Sequence, residues 1–210
     1  MKRLFDIFVA LCALMVFSPF LLMACLLIKK EDGGTVFFTQ ERLGLHRRPF
    51  LIWKLRTMQN GQVTKVGRWL RATAIDEFTQ FIHVLKGEMS IVGPRPMTEA
   101  DIARLGWDTT ARHHRWQVKP GVTGLVQVYG GFNAEESRIL EESYVAYQSF
   151  WLDLKIIFWS FWINVLGKKR VRGWLSKIRL VGGLTKSQLF SKAHSSPKQA
   201  AESQADVHPQ

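Results

Sequence analysis

The sequence predicts an α+β protein, mostly helical, with a small β-hairpin and helices that lie at a membrane interface. Three observations predict it. The chain opens with an apolar run, Ile7 to Ile28, that contains no charged residue. Two short β-prone runs, Val36 to Gln40 and Phe50 to Leu55, flank a basic loop that contains glycine. Beyond them, apolar residues recur mainly at helical spacing. A length of 210 residues allows one soluble domain plus a membrane element. The expected division is 1–30 for the membrane helix, 31–180 for a domain with interfacial helices and 181–210 for a disordered tail rich in Ser, Gln, Ala, Lys and Pro.

Lys and Arg number 29 against 17 Asp and Glu, a net charge of +12. Such a balance calls for an anionic partner: nucleic acid, anionic lipid headgroups or a phosphorylated substrate. Nucleic acid has only the charge in its favour. The aromatic residues lie in apolar runs rather than among the basic loop residues, and no nucleic-acid-binding motif is present. Both cysteines, Cys12 and Cys25, fall inside the apolar run, so neither a disulfide framework nor a cysteine metal site is expected, which fits a cytoplasm-facing chain.

The N-terminal run is too long for a secretory signal, and no small-residue cleavage site precedes Lys29-Lys30. As a straight helix it would extend roughly 33 Å, enough to cross a hydrocarbon core. Two facts fit a helix that enters one leaflet and returns. Ser18-Pro19 falls mid-run, where proline removes a backbone hydrogen bond. Basic residues flank both ends, Lys2-Arg3 and Lys29-Lys30, and such flanks prefer the cytoplasmic side. The Ser18 hydroxyl is placed to serve the carbonyl that Pro19 frees. On these residues alone, a re-entrant and a spanning helix both stand.

In the second β-prone run, alternation puts Lys54 and Arg56 on one face, either as a clamp for one anion or as a solvated basic edge. Ile75, Phe78, Ile82 and Leu85 predict a helix from about Asp76 to Leu85, stopped by Gly87. Gly93-Pro94-Arg95-Pro96 is a rigid turn that aims Arg95. A helix is expected over 98–117; its neighbouring His113 and His114 face different directions and predict no metal site. Pro120 to Val128 reads as a turn and an apolar stretch, and Glu135 to Tyr147 as a polar helix. Phe150 to Leu166 is aromatic and apolar but interrupted by Asp153 and Lys155, so it suits the interface better than a second span. The basic, aromatic stretch Lys168 to Arg179 would grip anionic headgroups.

Asp76 and Glu77 carry the chemistry. Adjacent carboxylates repel each other, and a divalent cation relieves the repulsion; Mg²⁺ takes carboxylate and substrate phosphate oxygens. A carboxylate can also attack phosphorus. The alternative is a pair that merely complements the dipole of a helix start. Arg71 and the Arg95 turn, close by in sequence, favour phosphate chemistry.

The chain resembles the bacterial sugar transferase family, the small monotopic polyprenyl-phosphate phosphoglycosyl transferases. The resemblance rests on Lys2 to Asp6, Ser18-Pro19, Val36 to Gly44, Phe50 to Met58, Ile75-Asp76-Glu77, Lys86 to Pro96, Lys119 to Val128 and Asp153 to Ile157. These segments run in order over about residues 1–165. The resemblance implies a re-entrant helix broken at Ser18-Pro19 and a catalytic domain on the cytoplasmic face of the bacterial inner membrane. It implies that Asp76 attacks the β-phosphate of a nucleotide diphospho-sugar, usually a UDP-sugar, expelling UMP. Undecaprenyl phosphate then takes the phospho-sugar from Asp76. Glu77 is implied to hold Mg²⁺, with Asp153 a weaker metal candidate. Arg71, Lys54, Arg56, Arg95 and Gln127 are the candidates for phosphate contacts. Three positions depart from the family pattern: Thr79 replaces a usual proline, His83 a usual asparagine, and Gly131 a usual arginine. The rival reading is a non-catalytic membrane-bound scaffold, which explains the apolar start and basic tail but not the Asp76-Glu77 neighbourhood.

Overall fold

The computed structural model describes residues 1–107, 114–131, 133–176, 178–179, 181–185 and 187–191; the end of the expected tail and His113 lie outside them. The described residues are mostly helical, with three two-stranded sheets. They form two compact units, Met1–Gly124 and Leu125–Gln210.

The first unit begins with α1, Lys2–Asp32, closed by Gly33 at φ 69. Helical hydrogen bonding runs on through Ser18-Pro19. Pro19 lacks the N–H that would reach Met15, and the Ser18 hydroxyl donates to that Met15 carbonyl at 2.9 Å instead. At the expected break, then, one intrahelical hydrogen bond is replaced by a side-chain one, at the kind of position where helices bend. One face of α1 is buried through Asp6, Ala10, Ala24 and Ile28. The other turns Leu4, Phe8, Leu11, Met15, Leu22 and Leu26 outward.

Both ends of α1 are tied to the same unit. Near the start, the Arg3 guanidinium donates to the Val84 carbonyl and, at 2.8 Å, to that of Leu85. Asp6 is buried and accepts from Ser90 Oγ at 2.8 Å and from the Ile91 N–H at 3.1 Å. At the far end, Asp32 pairs with Arg56 through both carboxylate oxygens. Glu31 accepts from the Lys65 N–H at 2.8 Å and the Val66 N–H at 3.2 Å, satisfying two otherwise unpaired donors at the start of the next helix.

The expected hairpin is present as β1, Phe37–Leu43, antiparallel to β2, Pro49–Leu55, with Phe38 opposite Lys54 and Thr39 opposite Trp53. A second, smaller hairpin follows: β3, Met58–Gln59, and β4, Gln62–Val63, joined at Asn60-Gly61 with φ 49 and 78. Asn-Gly suits a turn that needs positive φ at both positions. Next come α2, Lys65–Thr73, and a 3₁₀ turn, Ile75–Glu77. The α-helix α3 starts at Gln80 and ends at Lys86 before Gly87. The helix expected from Asp76 is thus shorter, and the two acids precede it. β5, Ser90–Val92, leads to α4, Glu99–Leu105, which opens on a Thr98–Asp101 capping box and stops at Gly106 with φ 68. The long helix expected over 98–117 is corrected accordingly, and His114 lies in a separate 3₁₀ turn. β6, Gly121–Thr123, pairs parallel with β5. A Cβ on Gly93 would meet the Lys119 carbonyl oxygen at 2.3 Å, so that position admits glycine alone. Ala24, Ile28, Leu55, Leu70 and Ile75 form one core; Leu43, Met97, Ile102 and Trp107 form another.

The second unit comprises α5, Leu125–Tyr129; α6, Ala134–Ala146; α7, Phe150–Leu166; and α8, Lys168–Leu175. α7 buries Leu152, Asp153, Ile156 and Ile163 and turns Trp151, Phe158, Phe161 and Val165 outward. α8 buries Val171 and Leu175, while Lys168, Lys169 and Arg170 are exposed.

Asp6→Ala leaves a buried hydroxyl and a buried N–H without their acceptor. The expected loss is about 2–4 kcal/mol of stability, with Asp6→Asn losing less, measured by thermal unfolding in detergent.

Candidate active site

The sequence around residue 74 forces a sharp change of direction. α2 ends at Ala74, which adopts φ 56 and ψ 19. A left-handed conformation in a residue with a Cβ costs about 1–2 kcal/mol, and such costs concentrate at functional positions. The turn throws Ile75 into the core and leaves Asp76 and Glu77 half-buried beside β2. Glu77 is held by Lys54, with Nζ 2.5 Å from Oε1. Burial pushes the Asp76 carboxyl above its ordinary value; the Glu77 charge adds to the rise, and Lys54 and Arg71 oppose it. Two like charges thus sit side by side, and the nearer cations compensate them only in part.

Arg71 extends from the last turn of α2, and its Nε donates to Thr57 Oγ1 at 2.8 Å. Its two terminal nitrogens carry no protein partner among the described residues. The bond to a buried threonine fixes the plane of the guanidinium, and the two remaining nitrogens match the spacing of phosphate oxygens. Arg95 is exposed on its turn, whose backbone is held by Arg115 Nη2 donating to the Arg95 carbonyl at 2.6 Å.

Lys54 and Arg56 do not converge on one anion. Lys54 pairs with Glu77, whereas Arg56 engages all three of its nitrogens with Asp32, the Thr35 carbonyl and the Met58 carbonyl. The bond to Asp32 raises the Arg56 guanidinium's pKa and lowers that of the Asp32 carboxyl. Arg56 secures the end of α1 rather than the acidic pair. Gln127 and Asp153 belong to the second unit. Gln127 Oε1 is buried with no hydrogen-bond partner among the described residues, and the Gln127 carbonyl accepts from Arg172 Nη2 at 3.2 Å. Asp153 is buried and accepts from the Tyr144 hydroxyl at 2.9 Å.

Sequence reasoning missed Arg42. In β1 it lies on the same hairpin face as Lys54, because residues 38, 40 and 42 align with 54, 52 and 50. It donates to Asp101 at 3.1 Å and to Gln40 Oε1 at 2.5 Å. Burial lowers its pKa; the charge of Asp101 opposes that, that of Arg95 adds to it, and that of Glu77 opposes it. Arg42 therefore lies within electrostatic reach of both Arg95 and Glu77. The hairpin register was the signal that reveals it.

Among the described residues, no three His, Cys, Asp or Glu side chains gather as a metal cage. Asp76 and Glu77 offer two carboxylates at most. That donor set fits Mg²⁺, which commonly takes one or two carboxylates and completes its shell with water and substrate phosphate.

The chain matches the family model described as bacterial sugar transferase over residues 1–167. It is 39% identical over 171 residues to an uncharacterized sugar transferase, EpsL, of Bacillus subtilis, covering 75% of this chain and 83% of that protein. It is 41% identical over 177 residues to a UDP-glucose:undecaprenyl-phosphate glucose-1-phosphate transferase of Caulobacter vibrioides, covering 74% and 66%. It is 38% identical over 176 residues to a UDP-N-acetylgalactosamine-undecaprenyl-phosphate N-acetylgalactosaminephosphotransferase of Aeromonas hydrophila. That match covers 75% of this chain and 42% of the longer relative. The acidic turn, its cations and the apolar first helix all lie within the matched region, and the chain belongs to the bacterial sugar transferase family.

Proposed function

We propose that this enzyme transfers a phospho-sugar from a UDP-sugar to undecaprenyl phosphate, by way of a covalent bond to Asp76, at the cytoplasmic face of the bacterial inner membrane. The observation that carries the reading is the half-buried Asp76 carboxyl, set beside Glu77 on a strained turn and flanked by Lys54 and Arg71. Family membership and the activities for which the relatives are named support the two substrates.

In the first step, an Asp76 carboxylate oxygen attacks the β-phosphorus of the donor. The bond from that phosphorus to the oxygen bridging it to the α-phosphate breaks, and UMP leaves with the electron pair. In the second step, a phosphate oxygen of the lipid attacks the same phosphorus and releases the Asp76 carboxylate. Dividing the transfer lets a water-soluble donor and a lipid acceptor use the site in turn. Partial desolvation suits Asp76 to the task, because a poorly solvated carboxylate is a readier nucleophile. Arg71, through its two terminal nitrogens, binds phosphate oxygens, and Lys54 orients Glu77. Arg95 and Arg42 add positive field around the donor. Glu77, with Asp76, would hold Mg²⁺, which when bound neutralises charge on the transferring phosphate.

The first helix is read as re-entrant. The support is that Arg3 and Asp6 near one end, and Glu31 and Asp32 at the other, bond to polar groups of one unit. A helix crossing the bilayer would put those ends on opposite sides of about 30 Å of hydrocarbon. The outward aromatic residues of α7 and the exposed lysines of α8 are read as lying among lipid headgroups.

Asp76→Asn is expected to abolish UMP release and the phospho-sugar mass on the peptide containing residue 76. It is also expected to raise the thermal midpoint in EDTA at pH 7. The sign follows from linkage: a carboxyl whose pKa is raised on folding makes its charged form a destabilising one above that pKa. The gain from Asn should shrink as pH falls through the raised value, where the native carboxyl is already neutral. UMP release with the mass absent from wild type during turnover would overturn the covalent route. EDTA is expected to stop UMP release and added Mg²⁺ to restore it, with Glu77→Gln needing more Mg²⁺ for half-maximal rate. For topology, in a background carrying Cys12→Ala and Cys25→Ala, Lys2→Cys and the surface variant Gln62→Cys should react with an impermeant maleimide from the same side of the membrane. Reaction from opposite sides would establish a span.

A further inference from the structure

The geometry points to His83 as a positioning residue for the Lys54–Glu77 pair, acting through the backbone of Trp53. The inference rests on the reading of Asp76 and Glu77 as the reacting pair. The His83 ring is completely buried. Its Nε2 accepts from the Trp53 N–H at 3.0 Å, and its Nδ1 lies 2.6 Å from Glu88 Oε2. A ring nitrogen that accepts an amide proton carries none of its own. The neutral ring therefore bears its hydrogen on Nδ1 and donates it to Glu88, and both nitrogens are used in one tautomer. Four residues earlier, Thr79 Oγ1 donates to the Trp53 carbonyl at 2.6 Å. Helix α3 and its entry thus grip both backbone groups of a single strand residue.

That grip matters because of where Trp53 sits. Among the described residues the sheet has two strands, and β2 pairs with β1 alone. The outer edge of β2 has no third strand to fix its position, so its backbone groups would otherwise bond to water and the edge would slide. The side chains of Thr79 and His83 take the place of that strand. The next residue is Lys54, whose Nζ is 2.5 Å from Glu77 Oε1. Glu77 lies on the turn that leads into α3. The two partners of the ion pair therefore come from the two elements that the clamp joins. The Trp53 ring reinforces it, edge-on to His83 at 5.6 Å and covered by the Lys86 ammonium at 4.2 Å.

The test uses full-length protein in detergent with Mg²⁺ and the UDP-sugar, from a panel including UDP-glucose and UDP-N-acetylgalactosamine, from which wild type releases UMP. His83→Leu fills the site but neither accepts nor donates. It is expected to lower kcat between about 10- and 100-fold, a cost typical of displaced catalytic groups, with little change in KM. His83→Gln, whose amide oxygen accepts and whose nitrogen donates, is expected to restore most of that rate. The double variant His83→Leu/Lys54→Met should be no slower than Lys54→Met alone, since both changes act on one pair. If His83→Leu fails to fold, Thr79→Val removes only a hydroxyl and should show the same kcat loss and the same non-additivity. A wild-type kcat in His83→Leu or in Thr79→Val, or losses that multiply with Lys54→Met, would overturn the inference. An inactive Asp76→Asn alongside a fully active His83→Leu sinks the clamp alone. Full activity in Asp76→Asn, or no UMP from any donor with wild type, sinks the reading beneath it.

Discussion

The constraint on which the first unit depends is that an apolar helix is fastened at both ends to one polar body. Arg3 and Asp6 reach carbonyls, a hydroxyl and an N–H around α3 and β5, and Asp32 and Glu31 reach Arg56 and the start of α2. Between those fastenings one stripe of α1 supplies Ala24 and Ile28 to a core shared with Leu55, Leu70 and Ile75. Ile75 is the first residue of the acidic turn. The outward-facing apolar helix and the Asp76-Glu77 turn therefore share a packing neighbourhood, as the proposed reaction between a soluble donor and a lipid requires.

The site has its own logic of unequal compensation. An isolated buried carboxylate would take up a proton, and a fully paired one would be inert. Asp76 is neither: burial and Glu77 push its pKa up while Lys54 and Arg71 pull it back. Cations are kept near the pair by separate means, Arg71 by a threonine and Arg42 by Asp101 and Gln40. Fixed cations need no rearrangement when phosphate charge arrives.

Much of this was legible in the sequence. The hairpin, α6 and α7 follow from local periodicity, and Phe150–Leu166 matches the expected bounds at both ends. Gly87 stops α3 as its conformational freedom suggests. Asp76, Glu77 and Arg71 could be singled out from the sequence because they lie within a few residues of one another. What was not legible depends on partners distant in the chain. Nothing near Arg56 announces that Asp32 will claim it. The helix expected from Asp76 starts later, at Gln80, because the chain leaving the left-handed Ala74 first forms the 3₁₀ turn Ile75–Glu77. Helix α4 ended early because Gly106 and its left-handed turn outweighed the helical pattern around it. Arg42 required the hairpin register, which alternation within a single strand does not supply.

The outward hydrocarbon of α1 and α7 has a practical consequence. Leu4, Met15 and Trp151 are each more than two-thirds exposed, and no part of the described chain covers them. Once removed from its bilayer, the protein will carry a collar of amphiphile wherever those side chains emerge. Its apparent mass in solution will be that of a mixed particle, and the choice of surfactant becomes a variable of every assay.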